Sequence, residues 1–112
     1  MKMIVAMIQP HKLEVVKQAL AEHSFIGVTV SDVQGFGRQK GRVELYRGAE
    51  YLYDYVPKIK LEIAVETDRV TELVEVLSNA AKTGKIGDGK IFVSSLHQVH
   101  RIRSGEVGVQ AL

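Results

Sequence analysis

The sequence predicts an α+β domain of the ferredoxin-like type, in which the order β-α-β-loop-β-α-β makes two split βαβ halves and an antiparallel sheet carries both helices on one face. Segments with strand-like alternation and segments with helix-like spacing of apolar residues follow each other in that order. The chain also has the size and composition of one domain with its own core, since its 112 residues are 46% hydrophobic and 25% charged. We therefore expect a single domain over residues 1–112.

The first half of the pattern begins at residue 2. Residues 2–9, KMIVAMIQ, are apolar at nearly every position, which is typical of a strand buried on both faces. Pro10 suits the first position of a helix. Apolar residues then recur at offsets of three and four on one helix face, namely Leu13, Val16 and Leu20. Residues 28–33, VTVSDV, alternate as the second strand.

The second half repeats the pattern after Pro57. Residues 58–65, KIKLEIAV, alternate between a core face and a charged face and predict the third strand. Thr67 and Asp68 offer side-chain oxygens that could cap the next helix. The apolar stripe of that helix is Val70, Leu73, Val74, Leu77 and Ala81, and it stops before Gly84. IFVSSL, at residues 91–96, predicts the fourth strand.

Composition excludes several classes of function. The formal charge of +2, from 15 basic and 13 acidic residues, is too small for a protein that binds duplex nucleic acid by charge alone. No apolar run approaches the ~20 residues of a membrane span, and the first run, MIVAMI, is too short for a signal peptide. With no cysteine in the chain, disulfide frameworks and thiolate metal sites are excluded. The expected location is the cytoplasm, without direct membrane insertion.

A long segment between the second and third strands has no sustained periodicity. It reads GFGRQKGRVELYRGAEYLYDYV over residues 35–56. A loop of this length in a compact domain is usually either a functional arm or a disordered linker. We predict a mobile loop over about residues 37–55.

A glycine-rich stretch, GKIGDGK at residues 84–90, has the spacing of a phosphate-binding loop, in which glycines let backbone N–H groups approach phosphate oxygens. The match is partial, because Ile91 stands where a magnesium-binding Ser or Thr belongs and the loop runs from helix to strand. A glycine-rich helix end followed by a turn explains these residues equally well. The candidate nucleotide loop covers about residues 82–90.

RIRSGE, at residues 101–106, opens a C-terminal loop over about residues 101–109. In an extended segment Arg101 and Arg103 would face the same way, as a fork of guanidinium groups suited to phosphate oxygens. Together with Arg38 and Lys90 they supply four cations that a compact fold could gather around a polyphosphate. Read alone, each is a surface charge, and the segment is a solvated basic tail.

GFGRQKG, ELYRGAEY, PKIKLEI, KTGKIGDGKIFV and RIRSGE resemble, in order and spacing, the PII nitrogen-regulatory signal-transduction proteins, over essentially the whole chain. The resemblance implies a homotrimer that binds ATP or ADP between subunits, senses 2-oxoglutarate and contacts targets through its mobile loop. It implies a binding module and no enzyme. The expected partners are an ammonium transporter, through which the protein would reach the membrane, a uridylyltransferase, the glutamine synthetase adenylyltransferase or a sensor kinase.

The resemblance also implies the binding residues. Nucleotide contacts would come from Thr29, Gly35, Gly37, Arg38, Glu62, Ala64, Gly87, Asp88, Gly89, Lys90, Arg101 and Arg103, the two last from a neighbouring subunit. The residues expected to bind 2-oxoglutarate are Gln39, Lys58 and Gly87, with Gln39 ligating the Mg²⁺ that accompanies ATP. Tyr51 is the expected uridylylation site, although the chemistry of the sequence alone does not distinguish it from Tyr46, Tyr53 and Tyr55.

The residues alone also allow other functions. A small nucleotide-hydrolysing enzyme on a ferredoxin-like fold would use the same glycine loop, but it also needs a residue that positions water. An RNA-recognition module shares the strand order but needs stacking aromatics on its central strands, and KIKLEIAV and MIVAMI offer none. His97 and His100 have a spacing that a metal site could use, although zinc wants three or four ligands.

The predicted loop gives a first test. Limited trypsin digestion of the free protein should cut first at Arg38, Lys40, Arg42 or Arg47, because a long polar segment without apolar anchors opens at little cost. The fragments are identified by mass spectrometry. Equal or earlier cleavage within either predicted helix would contradict the loop assignment.

Overall fold

The computed structural model describes the backbone of residues 1–38, 44–46, 49–51 and 53–112, and the side chains of residues 1–36 and 55–112. The strands are β1 (Lys2–Ile8), β2 (Thr29–Arg38), β3 (Glu44–Tyr46), β4 (Ala49–Tyr51), β5 (Tyr53–Val65) and β6 (Lys90–Ser95). The helices are α1 (Leu13–Glu22) and α2 (Val70–Ala81), with 3₁₀ turns at Pro10–Lys12, Thr67–Arg69 and Gly108–Ala111.

The main sheet has four strands in the order β2-β5-β1-β6, and every neighbouring pair is antiparallel. β1 lies in the middle, where Ile4 pairs with Ile63 of β5 on one side and with Val93 of β6 on the other. β2 pairs with β5 along its whole length, from Thr29, opposite Glu62, to Arg38, opposite Tyr53. With one helix inside each half, this order confirms the predicted ferredoxin-like βαββαβ fold.

The core lies between this sheet and the two helices. Alternate residues of β1 and β5 point toward the helices and are buried, as their two-residue periodicity predicts. The helix stripes meet them, and the core is formed by Ile4, Ala6, Ile8, Val16, Leu20, Phe25, Ile59, Leu61, Ile63, Val65, Leu73, Val76, Leu77 and Ala81. Burial of these side chains sets the register of the sheet, because a one-residue slip of either strand would expose its whole core face.

The second and third predicted strands are longer in the structure than in the sequence prediction. β2 continues beyond residue 33 to Arg38, and β5 begins at Tyr53, before Pro57. The antiparallel ladder supports this extension, and the rings of Phe36 and Tyr55 lie 5.6 Å apart across it. The predicted mobile loop, residues 37–55, therefore begins and ends within strands, and the rest of that prediction lies mainly outside the described residues.

The predicted cap of α2 is wrong. A 3₁₀ turn, Thr67–Arg69, precedes the helix, and neither Thr67 nor Asp68 caps it with a side-chain hydrogen bond. The hydroxyl of Thr67 instead accepts a hydrogen bond from the amino group of Met1 at 3.0 Å. The hydroxyl oxygen that the sequence pattern assigns to the helix end is thus used in a long-range contact.

The sheet face opposite the helices carries both apolar and charged side chains. The register places on it the residues Met3, Val5, Met7, Thr29, Ser31, Val33, Lys58, Lys60, Glu62, Ala64, Lys90, Phe92 and Ser94. Met3, Val5 and Met7 are half-buried, whereas Phe92 is 50% exposed. Among the described residues, no helix is long and apolar enough to cross a membrane.

Candidate functional site

The loop between α2 and β6 is organised around the carboxylate of Asp88. Oδ2 of Asp88 accepts hydrogen bonds from the backbone N–H groups of Thr83 at 2.8 Å and of Gly84 at 2.9 Å. Oδ1 accepts from the hydroxyl of Thr83, whose oxygen in turn accepts from the N–H of Lys85 at 3.2 Å. A single side chain thus joins both ends of the segment that the sequence identified as the nucleotide loop.

These donors keep Asp88 ionised. The pKa of the Asp88 carboxyl is lowered from its ordinary value, first by the hydroxyl of Thr83, then by the backbone N–H of Thr83, with smaller contributions from Gly84 and Lys12. At neutral pH the carboxylate is therefore ionised and can accept the hydrogen bonds that join Asp88 to Thr83 and Gly84. The resemblance assigned Asp88 to nucleotide binding, and in the structure its oxygens point at the loop itself.

Glycines allow the backbone path of this loop. Gly84, Gly87 and Gly89 have φ angles of +85°, +101° and +107°, a region that L side chains rarely adopt. Gly89 is also constrained in space, because a Cβ added there would lie 1.7 Å from the carbonyl oxygen of Met7 in β1. The loop therefore rests directly on the backbone of the central strand.

Two further side chains fix the loop to the sheet. The ammonium group of Lys58, in β5, donates to the carbonyl oxygen of Gly87. The side-chain amide of Gln9, which follows β1, donates from Nε2 to Oδ1 of Asp88 at 3.3 Å. The consecutive residues Gly87, Asp88 and Gly89 are thus held by β5, by the end of β1 and by β1 itself.

A row of polar side chains leads away from this point along the open face of the sheet. Thr29 of β2 lies opposite Glu62 of β5, and Glu62 pairs with Lys60 at 3.7 Å. Glu62 is four residues from Lys58 on the same face, about 13 Å at the usual rise of a strand. The open face therefore carries Lys58 and Glu62 along β5, with Gly87 bonded to Lys58 at one end and Thr29 of β2 beside Glu62 at the other.

A pocket of about 310 Å³ lies beside the same loop on the helix side of the sheet. Its lining is Met7, Ile8, Val74, Leu77, Ser78, Ala81, Lys82, Asp88, Gly89, Lys90 and Ile91. Lys90 begins β6 opposite Met7, so its backbone lies at the same end of β1 as the three anchors of the loop. The structure thus brings Lys58, Gly87, Asp88, Gly89 and Lys90 together.

The arginine fork is not formed as predicted. Arg101 begins a turn, closed by a hydrogen bond from the N–H of Gly105 to its carbonyl oxygen, so Arg101 and Arg103 do not lie in an extended segment. The guanidinium group of Arg101 donates to the backbone oxygen of Leu112 at 2.7 Å, whereas Arg103 is exposed. Local turn geometry at Ser104 and Gly105 overrides the two-residue alternation on which the prediction depended.

Several predicted site residues lie wholly or partly outside the described part of the chain. Gln39 is not described, and only the backbone of Gly37, Arg38 and Tyr51 is. Gly35 lies in β2 opposite Val56, with open space where a Cβ would be.

The described residues hold no group of three or more His, Asp or Glu side chains that could bind a metal ion. The His97 and His100 hypothesis therefore lacks a third ligand there. His100 is instead bonded to Gln98, with 3.0 Å between Nε2 and the amide oxygen.

Comparison with known proteins gives consistent matches. The family model described as nitrogen regulatory protein P-II matches residues 1–106. The chain is 53% identical to the nitrogen regulatory protein P-II of Rhizobium meliloti (strain 1021) and 54% identical to that of Mesorhizobium japonicum. It is 52% identical to the nitrogen regulatory protein GlnK of Escherichia coli (strain K12). Each of these three matches covers 112 residues, 100% of both chains.

The contact between Gly89 and Met7 predicts an asymmetry between two glycines of one loop. Gly89→Ala should destabilise the protein by about 1–3 kcal/mol more than Gly84→Ala, because both have positive φ but only Gly89 meets a backbone atom. Urea denaturation at one fixed protein concentration measures the difference. Equal losses of stability in the two variants would mean that the loop does not rest on β1.

Proposed function

The chain belongs to the family of nitrogen regulatory P-II proteins, and we propose that within it the chain senses ATP, ADP and 2-oxoglutarate and reports them to target proteins. One observation carries the proposal. Gly87, Asp88 and Gly89 are fixed to the end of β1 and to β5, beside Lys58 and Lys90. A preformed glycine loop with two cations is suited to a polyphosphate.

The nucleotide would lie along the open face of the sheet. In this proposal its phosphates meet Gly35, Gly37, Arg38, Gly87, Gly89 and Lys90, and its adenine lies near Thr29, Glu62 and Ala64. Asp88 contributes by shaping the loop, since its oxygens already accept bonds from Thr83, Gly84 and Gln9.

We propose a homotrimer in which the open face is covered by neighbouring subunits. Val5, Met7 and the half-exposed Phe92 give this face an apolar centre, which favours association of identical subunits. Arg101 and Arg103 would then reach a nucleotide held mainly by the next subunit. For Arg101 this requires exchange of its bond to Leu112 for a bond to phosphate.

The acid would bind at Lys58. One of the three N–H donors of its ammonium group is used on Gly87, which leaves donors for a carboxylate of 2-oxoglutarate. Gln39 would supply a neutral oxygen ligand to the Mg²⁺ that accompanies ATP, a ligand type that this ion accepts together with phosphate oxygens and water. When bound, the ion would neutralise phosphate charge close to the acid.

Signalling would run through residues 37–55, whose ends are the outer parts of β2 and β5. Ligands at Lys58 and Gln39 would bias what this segment presents, a form of allostery that needs only two states of a loop. We propose the cytoplasm as the location. An ammonium transporter, a uridylyltransferase, the glutamine synthetase adenylyltransferase or a sensor kinase is the proposed partner, and no catalytic residue is assigned.

Binding measurements test the sensor. ATP and 2-oxoglutarate should each raise the affinity of the other by the same factor, with a coupling of about 1–3 kcal/mol, whereas ADP should not couple to the acid. Calorimetry with each ligand alone and with both measures the factor. 2-Oxoglutarate binding that is equally tight with ADP, or without nucleotide, would contradict the proposed shared site.

Variants separate the two ligands in the same assay. Lys58→Ala should weaken the acid far more than the nucleotide, whereas Arg101→Ala should weaken the nucleotide first. Lys17→Ala is the control, because Lys17 pairs with Glu14 on the surface of α1. A loss of acid affinity in the control as large as that in Lys58→Ala would remove Lys58 from the proposed site.

We further propose that Tyr51 is uridylylated. Incubation of Tyr51→Phe with a uridylyltransferase and labelled UTP should give no labelled protein, while wild type and Tyr46→Phe are labelled. Label retained in Tyr51→Phe would move the modification to another tyrosine.

A further inference from the structure

Gln9 is the residue through which the sheet reaches the carboxylate of the nucleotide loop. It follows β1 immediately and precedes Pro10, so its backbone position is set by the central strand. Its amide Nε2 lies 3.3 Å from Oδ1 of Asp88, across 79 positions of sequence, and the contact is partly buried. The other bonds to Asp88 among the described side chains come from its own loop, at Thr83 and Gly84.

We propose that Gln9 is a positioning residue, which holds Asp88 and thereby keeps the loop of residues 82–90 in the conformation that presents its N–H groups to phosphate. The part of this inference that concerns phosphate rests on the proposed nucleotide binding. The part that concerns the loop rests on geometry alone.

The charges around Asp88 explain why the residue that holds it can be neutral. Lys12, in the 3₁₀ turn that follows Gln9, acts on the carboxylate through its charge. The ammonium group of Lys58 donates to the carbonyl oxygen of the neighbouring Gly87, and Lys90 begins β6. Lys82 and Lys85 belong to the loop itself. A carboxylate among these cations needs no further charge, but it does need a directed donor that fixes where its oxygens point, and an amide supplies one.

A change of one atom tests the proposal. Gln9→Glu keeps the size of the side chain, removes the donor and places a second carboxylate against Asp88. Two carboxylates this close disfavour double ionisation, so at low pH they would share a proton and restore a hydrogen bond. The defect of Gln9→Glu should therefore be large at pH 8 and small at pH 5.5. Gln9→Lys, which restores a donor, should behave nearly as wild type at both pH values.

Gln18→Glu is the matched control. Gln18 donates through its amide to a carboxylate at the same distance, 3.3 Å to Glu22, but on the outer face of α1. The same chemical change is thus made away from the loop, and any effect of net charge or of pH on ATP itself appears in both variants.

Two readouts are compared at pH 5.5 and pH 8. Hydrogen-exchange protection of the Thr83 and Gly84 amides reports the loop without any ligand, and calorimetry with Mg-ATP reports the phosphate site. At pH 8, Gln9→Glu should lower the exchange protection of these two amides and the affinity for Mg-ATP, each about tenfold or more. This is the effect expected from the loss of a hydrogen bond to a charged group. Most of each loss should return at pH 5.5, whereas Gln18→Glu should match wild type throughout.

Each failure points to a different part of the inference. Wild-type protection of Thr83 and Gly84 in Gln9→Glu at pH 8 would overturn the role of Gln9, and so would a defect that Gln9→Lys shares. Lost protection with unchanged Mg-ATP affinity would overturn its importance for phosphate binding. If wild type bound no Mg-ATP, the proposed function would fail, while the exchange data would still decide whether Gln9 holds the loop.

Discussion

The contact on which the site depends is the one between Gly89 and the carbonyl oxygen of Met7. There is no room for a side chain between them, since a Cβ would lie 1.7 Å from that oxygen. This contact brings the loop after α2 onto the central strand of the sheet. Once it is there, Asp88 is within reach of Gln9, and Gly87 is within reach of Lys58. The remaining site geometry follows from the antiparallel register, which lays Lys58, Glu62 and Thr29 along one face.

One face of the sheet packs in the core and the other carries the candidate site, and both faces are formed by the same strands. Strict alternation in β5 gives one face to the core, through Ile59, Leu61 and Ile63, and leaves the other face to Lys58 and Glu62. A ligand site can therefore be built on β5 without loss of core packing. The alternation in β5 also places the site on the face where neighbouring subunits of the proposed trimer would meet.

The sequence predicted those features that depend on local periodicity. The stripe at Leu73 and Leu77, the alternation after Pro57 and the glycines of the loop all have local signals, and the structure has the corresponding helix, strand and positive φ angles. Features that depend on distant contacts were missed. The local pattern at Thr67 predicts a helix cap, but its hydroxyl accepts a hydrogen bond from the amino group of Met1, a residue 66 positions away.

Two further differences have the same physical origin. Beyond residue 33, β2 and β5 pair with each other although neither has a clear alternation of apolar and polar residues there. Strand formation depends on cross-strand neighbours as well as on the residue pattern of each strand. Gln9 gave no signal at all, since its role exists only through Asp88. A third difference has a local cause, because alternation predicts that Arg101 and Arg103 face the same way in an extended segment, whereas that segment turns at Gly105.

The loop of residues 82–90 is already fixed on the sheet before any ligand binds, and backbone ¹⁵N relaxation of the free protein tests this directly. We expect order parameters of about 0.85 for the amides of Thr83, Gly84 and Gly89, equal to those of α2, because the loop is anchored at three consecutive residues. Order parameters below about 0.6, rising only when nucleotide is added, would contradict the account and make the loop a product of ligand binding.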